Sequence, residues 1–472
     1  MKQYMLSKNI DPNKIFIVNR SEIEGRWDPS IYKKVFRFIS NVYSECKLLD
    51  IAFINPNTPF DKLDSDSEIS FIPMDAIDEL NGIVSKVYFR KVSESKGYTR
   101  FKENDLIWAK ITPCMQNGNS AIVRNTRQGF AFGSTEFFVI RPKSSNVIIE
   151  YIYILLRDRR ILDSAMNYFG GSAGQQRVPK EFLANFRLPL PPLPIQQQIV
   201  TLYQNAYTQK QQKETQAATL LASIDDYLLG ELGITLPEQD KSLRSRIFTT
   251  QFREVEGRLD PDYYRLKYKM KNNAISKGLY GKKSLKEITI ILSSGKTPSS
   301  KEYSEIPNEY PIIKVGSYIK NFIDLNKTGF TLAPQTLIAK KNDIFILSAA
   351  HQSEYVGRHI KFLDEEPKHP TSYVGELICV RCSQECNPMY LFSILNTSIF
   401  KDLINREKTG QTSHVYGKDL KHIFIPLPPL EKQTEIAEHI KGIHTQAKKL
   451  QKEAQQILEK AKREVEQMIL GE

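Results

Sequence analysis

Cys379, Cys382 and Cys386 lie close enough in sequence for their thiolates to hold a zinc ion or an iron–sulfur centre. The stretch carrying the first two, "GELICVRC" (375–382), also has the apolar run of a β-strand, and the other thiols, Cys46 and Cys114, are remote in the chain. Packed thiols and no metal site are therefore expected. "GLYGKKS" (278–284) lacks the four-residue spacing between glycine and Gly-Lys-Ser/Thr that wraps a nucleotide's phosphates. "INPNTPF" (54–60) has the asparagine and proline of a loop that could hold an adenine for methylation, but at the wrong spacing and with no glycine-rich cofactor loop; it reads as a surface turn. The seven histidines make no HExxH pair, and no nucleophile, base and orienting acid fall into a persuasive triad. The chain is expected to be no enzyme and to carry no cofactor of its own.

Binding chemistry is easier to find. Two glycine-containing polar stretches, "GGSAGQQRVPKEFL" (170–183) and "EKTGQTSHVYGKDL" (407–420), place amides, hydroxyls and cations beside flexible backbone. A glutamine can donate to and accept from one adenine edge, which makes Gln175, Gln176, Arg177, Gln411, Ser413 and His414 candidates for DNA contact. Lys110, Arg124 and Arg358, next to turn signals in "DLIWAKI", "NGNSAIVRN" and "YVGRHIKFL", are candidates for phosphate contact. Turns, helix caps and a solvated charged rim use the same residue types. A formal charge of +12 and a pI near 9.1 favour a polyanionic partner without requiring one.

Positioning elements can be read around these residues. At 472 residues and 40% hydrophobic composition, the chain can bury at least two domain-sized cores. Its marks recur in order: "EIEGRWDPSIYK" (22–33) with "EVEGRLDPDYYR" (254–265), "FKENDLIWAKI" (101–111) with "AKKNDIFILSA" (339–349), and "TEFFVIRP" (135–142) with "GELICVRC" (375–382). So long a period excludes a solenoid and indicates two duplicated modules, each with its own core. Within the first, "GIVSKVYFRKV" (82–92), "DLIWAKI" (105–111), "SAIVRN" (120–125) and "TEFFVIRP" read as strands, followed by a helical "SNVIIEYIYILLRDRRILDSAMNYF". The second repeats that order, so each module is mixed α/β (α+β).

Each module closes on a proline boundary, "FRLPLPPLPIQQQIV" (186–200) and "FIPLPPLEKQTEIAEHI" (424–440), which blocks a helix but lets one start just beyond. Ile199, Tyr203, Ala206, Ala217, Leu220, Ile224 and Tyr227 then follow heptad-like steps, with Lys210 and Lys213 in the middle of the stripe. Ile436, Ile440, Ile443, Ala447, Leu450, Ala454, Ile457 and Ala461 alternate steps of four and three before Val465 and Met468. Neither narrow seam is stable alone, so two long helices are expected to pack together as a coiled coil. The expected packing residues are Ile199, Tyr203, Leu220 and Ile224 on the first helix and Ile436, Ile440, Ile443, Leu450 and Ile457 on the second. Comparing "YLLGE" (227–231) with "MILGE" (468–472) predicts four more residues in the second helix. The chain has neither a run of about 18 apolar residues nor a secretory leader, which predicts a cytoplasmic protein.

The duplicated "GRWDPSIY/GRLDPDYY", "NDLIWAKI/NDIFILSA" and "LPLPPLPIQQQI/IPLPPLEKQTEI" motifs resemble the specificity subunit of type I restriction-modification systems over nearly the whole chain. The resemblance implies target-recognition domains at 1–188 and 233–425, with hinge-and-helix segments at 189–232 and 426–472 whose helices pack as an antiparallel coiled coil. It implies a split, asymmetric double-stranded DNA target, two modification subunits that methylate adenine with S-adenosylmethionine, and restriction subunits that use ATP and Mg. The family's Glu-Gln after the prolines is replaced by Pro194-Ile195-Gln196 in the first copy and Glu431-Lys432-Gln433 in the second, so equivalent partner contacts by the two copies do not follow. A coiled-coil adaptor that selects no DNA sequence accounts for the helices but not for two unlike, cation-bearing modules. A self-contained methyltransferase lacks its cofactor loops here.

Overall fold

The structure is a computed structural model that describes Ile17, Phe36, Glu238, Val255 and residues 38–170, 175–236, 247–251, 260–319, 321–409 and 413–471. It divides into two units, Met1–Gln211 with Ala454–Glu472, and Gln212–Glu453. The first copy of the EGR motif lies outside the described residues; in the second, Pro261–Tyr264 form a short turn capped by the Asp260 carboxylate.

In the first unit, strands β1 (Glu45–Lys47), β2 (Ala52–Ile54), β3 (Glu68–Ile72), β4 (Tyr88–Lys91), β5 (Thr99–Lys102), β6 (Leu106–Ala109), β7 (Ser120–Ile122), β8 (Phe130–Gly133) and β9 (Phe137–Pro142) precede helices α1 (Ile149–Leu156) and α2 (Arg159–Met166). They form two four-stranded sheets, β4-β3-β8-β5 and β2-β9-β6-β7, while β10 (Arg187–Pro189) pairs with β1. The expected strand at 82–92 is broken, with only Tyr88–Lys91 joining a four-stranded sheet. The expected single helix is broken at Arg157-Asp158, where the Asp158 carboxylate caps α2. All four residues of β6 are buried because both its faces are covered. Leu106 and Trp108 join the core beneath α1 and α2, and Ile107 joins a second core with Ile72 and Phe101.

The second unit repeats this logic. Strands β11 (Lys282–Ser284), β12 (Thr289–Ser294), β13 (Tyr303–Ser304), β14 (Pro311–Ile313), β15 (Tyr318–Ile319), β16 (Phe322–Ile323), β17 (Gly329–Thr331), β18 (Ile344–Leu347), β19 (Ile360–Phe362), β20 (Ser372–Tyr373) and β21 (Leu377–Cys382) precede α3 (Pro388–Asn396), α4 (Ser398–Arg406) and β22 (Phe424–Pro426). They make a six-stranded sheet β12-β21-β18-β19-β16-β15, a four-stranded sheet β13-β17-β14-β20 and the pair β11-β22. As in β6, residues of β18 alternate between two cores: Ile344 and Ile346 in one, Phe345 and Leu347 in the other.

The repeated Asn-Asp pair has a structural explanation. Asn104 and Asn342 take left-handed backbone (φ 70° and 72°), a conformation asparagine tolerates better than most side chains. The following Asp105 and Asp343 are buried and pair in bidentate fashion with Arg141 and Arg381, through two hydrogen bonds of 2.7 Å each. These are the arginines of "VIRP" and "CVRC".

Two long helices run over Leu193–Glu231 and Leu430–Leu470. They contain 39 and 41 residues, a difference of two rather than four, because the first continues through Gly230 and Glu231 whereas the second stops at Leu470. In the second unit they are antiparallel: Lys213 meets Glu453 at 2.6 Å, Lys432 meets Glu231 at 2.7 Å, and the Tyr227 ring stacks on His439 at 4.1 Å. Ile436 and Ile440 are buried there, while Leu220, Ile224, Ile443 and Leu450 are half-buried. In the first unit Ile199 is buried beside Val465 and Ile469, with Tyr203 half-buried against the same core and Ile457 half-buried. Ala447, Ala454 and Ala461 are buried on the second helix.

Candidate nucleic-acid interface

Residues 175–178 of the polar stretch return to the sheet at the end of β6. Arg177 bridges Gly170 and Ile111, the latter beyond β6, and the Val178 amide donates to the Lys110 carbonyl at 2.9 Å. The Lys110 amide donates to the Glu136 carbonyl at 2.9 Å, which brings the start of β9 to the same place. The Arg177 guanidinium grips the Glu136 carboxylate, with Nε at 2.9 Å from one oxygen and Nη2 at 2.8 Å from the other. That bond, helped by the Lys110 charge and opposed by burial, holds Glu136 below the usual carboxylate range, and it raises Arg177. The Lys110 ammonium also sits 5.6 Å from the centre of the Phe138 ring.

Around this node, Gln176 accepts from the Thr112 amide at 3.0 Å through its carbonyl, and the Gln175 carbonyl accepts from Arg177 Nη1 at 3.0 Å. The Gln175 side chain is exposed and that of Gln176 half-exposed. Lys110, Gln175, Gln176 and Arg177 therefore converge. Arg124 does not join them, because Ile122, two residues before it, pairs with Leu106 at the opposite end of β6, itself roughly 13 Å from Lys110 at strand spacing. It pairs instead with Glu150 at the start of α1.

The second module builds the same backbone node with different side chains. His414 bridges Thr409 and Ala349, Val415 donates to the Ser348 carbonyl at 3.0 Å, and Ser348 donates to the Glu376 carbonyl at 2.8 Å. Ser348, Glu376 and His414 thus stand where Lys110, Glu136 and Arg177 stand in the first module. The Glu376 carboxylate accepts from the Thr297 hydroxyl at 2.8 Å, and the His414 ring is stacked near Tyr416. Ser413 takes φ of 21° in the turn before His414, and Gln411 lies outside the described residues.

Arg358 reaches this end of the second module, since Gly357 donates to the Leu347 carbonyl at 2.7 Å. Its guanidinium lies 3.4 Å from Asp402, which Lys271 also engages. Lys401 and Asp402 line a cleft of about 500 Å³ with Arg358, Asp225 and His444. Burial lowers Lys401, Lys361 and Lys408; Lys401 pushes Lys361 further down and Arg358 does so to Lys408, whereas at Lys401 the Asp225 carboxylate opposes the fall more than Arg358 adds to it.

Glu136 is the residue that sequence reasoning missed. Its signal was available, because Glu136 and Glu376 open the matching stretches "EFFVIRP" and "ELICVRC", but strand pattern cannot say that one clamps an arginine. Cys379 and Cys386 are buried and Cys382 is half-buried, and among the described residues no group of three or more His, Cys, Asp or Glu could hold a metal. No helix among the described residues is long and apolar enough to cross a membrane.

The type I restriction modification DNA specificity domain matches this chain twice, at residues 43–222 and 278–460. The EcoEI and EcoAI specificity subunits of Escherichia coli are each 36% identical to it, over 175 and 189 residues, or 37% and 39% of this chain. Those matches span 29% and 32% of the two relatives' own lengths. The MjaVIII specificity subunit of Methanocaldococcus jannaschii is 24% identical over 353 residues, covering 70% of this chain and 72% of that one. A chain from a solved type I R-M system shares the fold with a TM-score of 0.54 at 17% identity, covering 91% of this chain and 97% of the other. Two tandem matches spanning most of the sequence, one on each module, place the chain in the family of type I restriction-modification DNA specificity subunits.

Proposed function

We propose that this chain is the address-reading subunit of a type I restriction-modification complex. Each module reads one half of a split, asymmetric double-stranded DNA target, and the paired helices scaffold two modification subunits and the restriction subunits. Methylation of adenine from S-adenosylmethionine, and ATP- and Mg-dependent translocation and cleavage, belong to those partners. The observation that carries this reading is the substitution of Ser348 and His414 for Lys110 and Arg177 on the same backbone node. One backbone frame presenting unlike donors and acceptors suits two unlike half-sites.

The test is to co-express the chain with its modification subunit in a methylation-free host and map N6-methyladenine across the genome. A bipartite motif that requires both proteins is the expected result. Methylation by this chain alone would overturn the division of labour, and a folded, copurifying complex that methylates nothing would favour a coiled-coil adaptor.

A further inference from the structure

The small sheet of the first module has a face that the address-reading proposal does not use. Strand registry places Tyr88 and Arg90 on β4, Ile69 and Phe71 on β3, Phe130 and Phe132 on β8, and Arg100 and Lys102 on β5 on this one face. Its centre is apolar, with Phe60, Ile69, Phe71 and Phe132 buried as a separate cluster. Its rim is not. The Arg90 guanidinium lies 3.9 Å over the Phe71 ring, and that of Arg100 lies 4.8 Å over the Phe60 ring. Neither guanidinium has a carboxylate or hydrogen-bond partner among the described residues. Tyr88 and Tyr98 flank them at 44% and 40% exposure.

This arrangement differs from an ordinary surface. Arg127, on the opposite side of the sheet, also lies over a ring, Phe89, but is neutralised by Glu68 at 2.6 Å. Lys91, at the end of β4, is neutralised by Asp66 at 2.9 Å. Arg90 and Arg100 are held in place by aromatic faces, which fix the planar group while leaving its N–H edge unused. A planar fork of donors with no acceptor of its own fits a phosphate.

The patch also adjoins the candidate interface. Arg100 pairs with Phe132, four residues before Glu136, so about 14 Å of extended chain at most separates that strand position from the node. Arg90 and Arg100 stand three strand spacings apart, about 14 Å between their strands, so one continuous backbone could engage both. The second module has no arginine on its small sheet's rings among the described residues; there Lys314 lies over Tyr303 at 4.2 Å.

We infer that Arg90 and Arg100 are a phosphate clamp for duplex DNA beside the half-site read by the first module. This rests on the address-reading proposal and adds to it a sequence-independent grip on one side. The clamp strengthens binding to any duplex and leaves the identity of the target to the node residues.

The experiment uses the chain in complex with its modification subunit, wild type beside an Arg90→Gln/Arg100→Gln variant, binding target and scrambled duplexes from 50 to 200 mM salt. Loss of two phosphate contacts should reduce the slope of log K against log salt by about 1.8, so the gap between wild type and variant narrows about tenfold across that range. The weakening should be equal on target and scrambled DNA, with the methylated motif unchanged. An Arg90→Lys/Arg100→Lys variant should keep most of the slope, and it serves as the reference if the Gln variant does not fold. Unchanged affinity and slope would overturn the clamp, as would a loss confined to target DNA with an altered motif, or loss of the copurifying modification subunit. A wild-type complex that maps no motif would instead refute the address-reading proposal, a result the variant cannot mimic.

Discussion

Gln196 and Gln433, both buried, make the same set of hydrogen bonds, 237 residues apart in the chain. Each carboxamide Nε2 donates at 2.8 Å to a carbonyl of the proline boundary five residues earlier, Pro191 or Pro428. Each donates again to the loop before α1 or α3, to Asn146 at 3.0 Å or Glu385 at 3.1 Å. Each Oε1 accepts from a backbone amide, Ile148 at 2.9 Å or Asn387 at 2.8 Å. The shared glutamine after the prolines is therefore a buried latch that welds the long helix to its module. The neighbouring tyrosines complete it, with Tyr151 donating to the Pro189 carbonyl and Tyr390 to the Pro426 carbonyl, both at 2.7 Å.

Replacing Gln196 or Gln433 by alanine strands one buried carbonyl together with a part-buried carbonyl and amide, so each change should cost roughly 1–3 kcal/mol. Urea denaturation of each variant checks this, and equal losses at the two positions are expected. A loss below the measurement error at either position would mean that water replaces the side chain there.

Removing Arg141 or Arg381 should cost more. Asp105 and Asp343 each have a side chain only 1% exposed, so Arg141→Met or Arg381→Met leaves a carboxylate buried without its counter-ion. The expected loss is about 3–5 kcal/mol for either single variant. The paired change Arg141→Met/Asp105→Asn should recover part of it in the same denaturation assay, because no charge is then left behind. By contrast, Lys213→Ala on the long helix breaks a partly exposed pair with Glu453 and should cost less than about 1 kcal/mol.

The two nodes should be separable by target. On the proposed reading, Glu136→Gln, which weakens the grip on Arg177, should change or relax the half-site assigned to the first module while leaving the other half intact. His414→Ala should do the converse. Methylome mapping of each variant with the modification subunit reads both halves at once, and a change in both halves from either single substitution would contradict independent reading.

Acid should weaken the second unit through its histidines. Burial holds His444 below the ordinary histidine value, and burial together with Lys361 and Lys401 does the same to His359. In each case the unfolded chain takes up a proton that the folded chain resists, so stability is full above about pH 6.5 and falls as pH drops through that value towards the folded one. His444→Gln should flatten the difference between urea midpoints measured at pH 7.5 and 5.5.

Repetition made the architecture legible in sequence: two modules, the proline boundaries, the strand runs at 105–111 and 135–142 and the two seams all follow from local pattern, because hydrophobic period and proline placement are properties of neighbouring residues. Lys110 and the 175–177 stretch could be named as candidates for the same local reason, as cations and amides beside turn signals. What only the tertiary structure decided is which of them meet. Arg124 and Lys110 looked alike in sequence, yet opposite ends of one strand separate them, whereas Arg177 crosses 41 residues of chain to clamp Glu136. The same holds for Gln196, which in sequence looks like a polar residue on an exposed helix face and is instead 1% exposed. Its three partners come from two segments that a linear pattern does not bring together, since hydrogen bonding in a core depends on which chain segments close over it rather than on residue type.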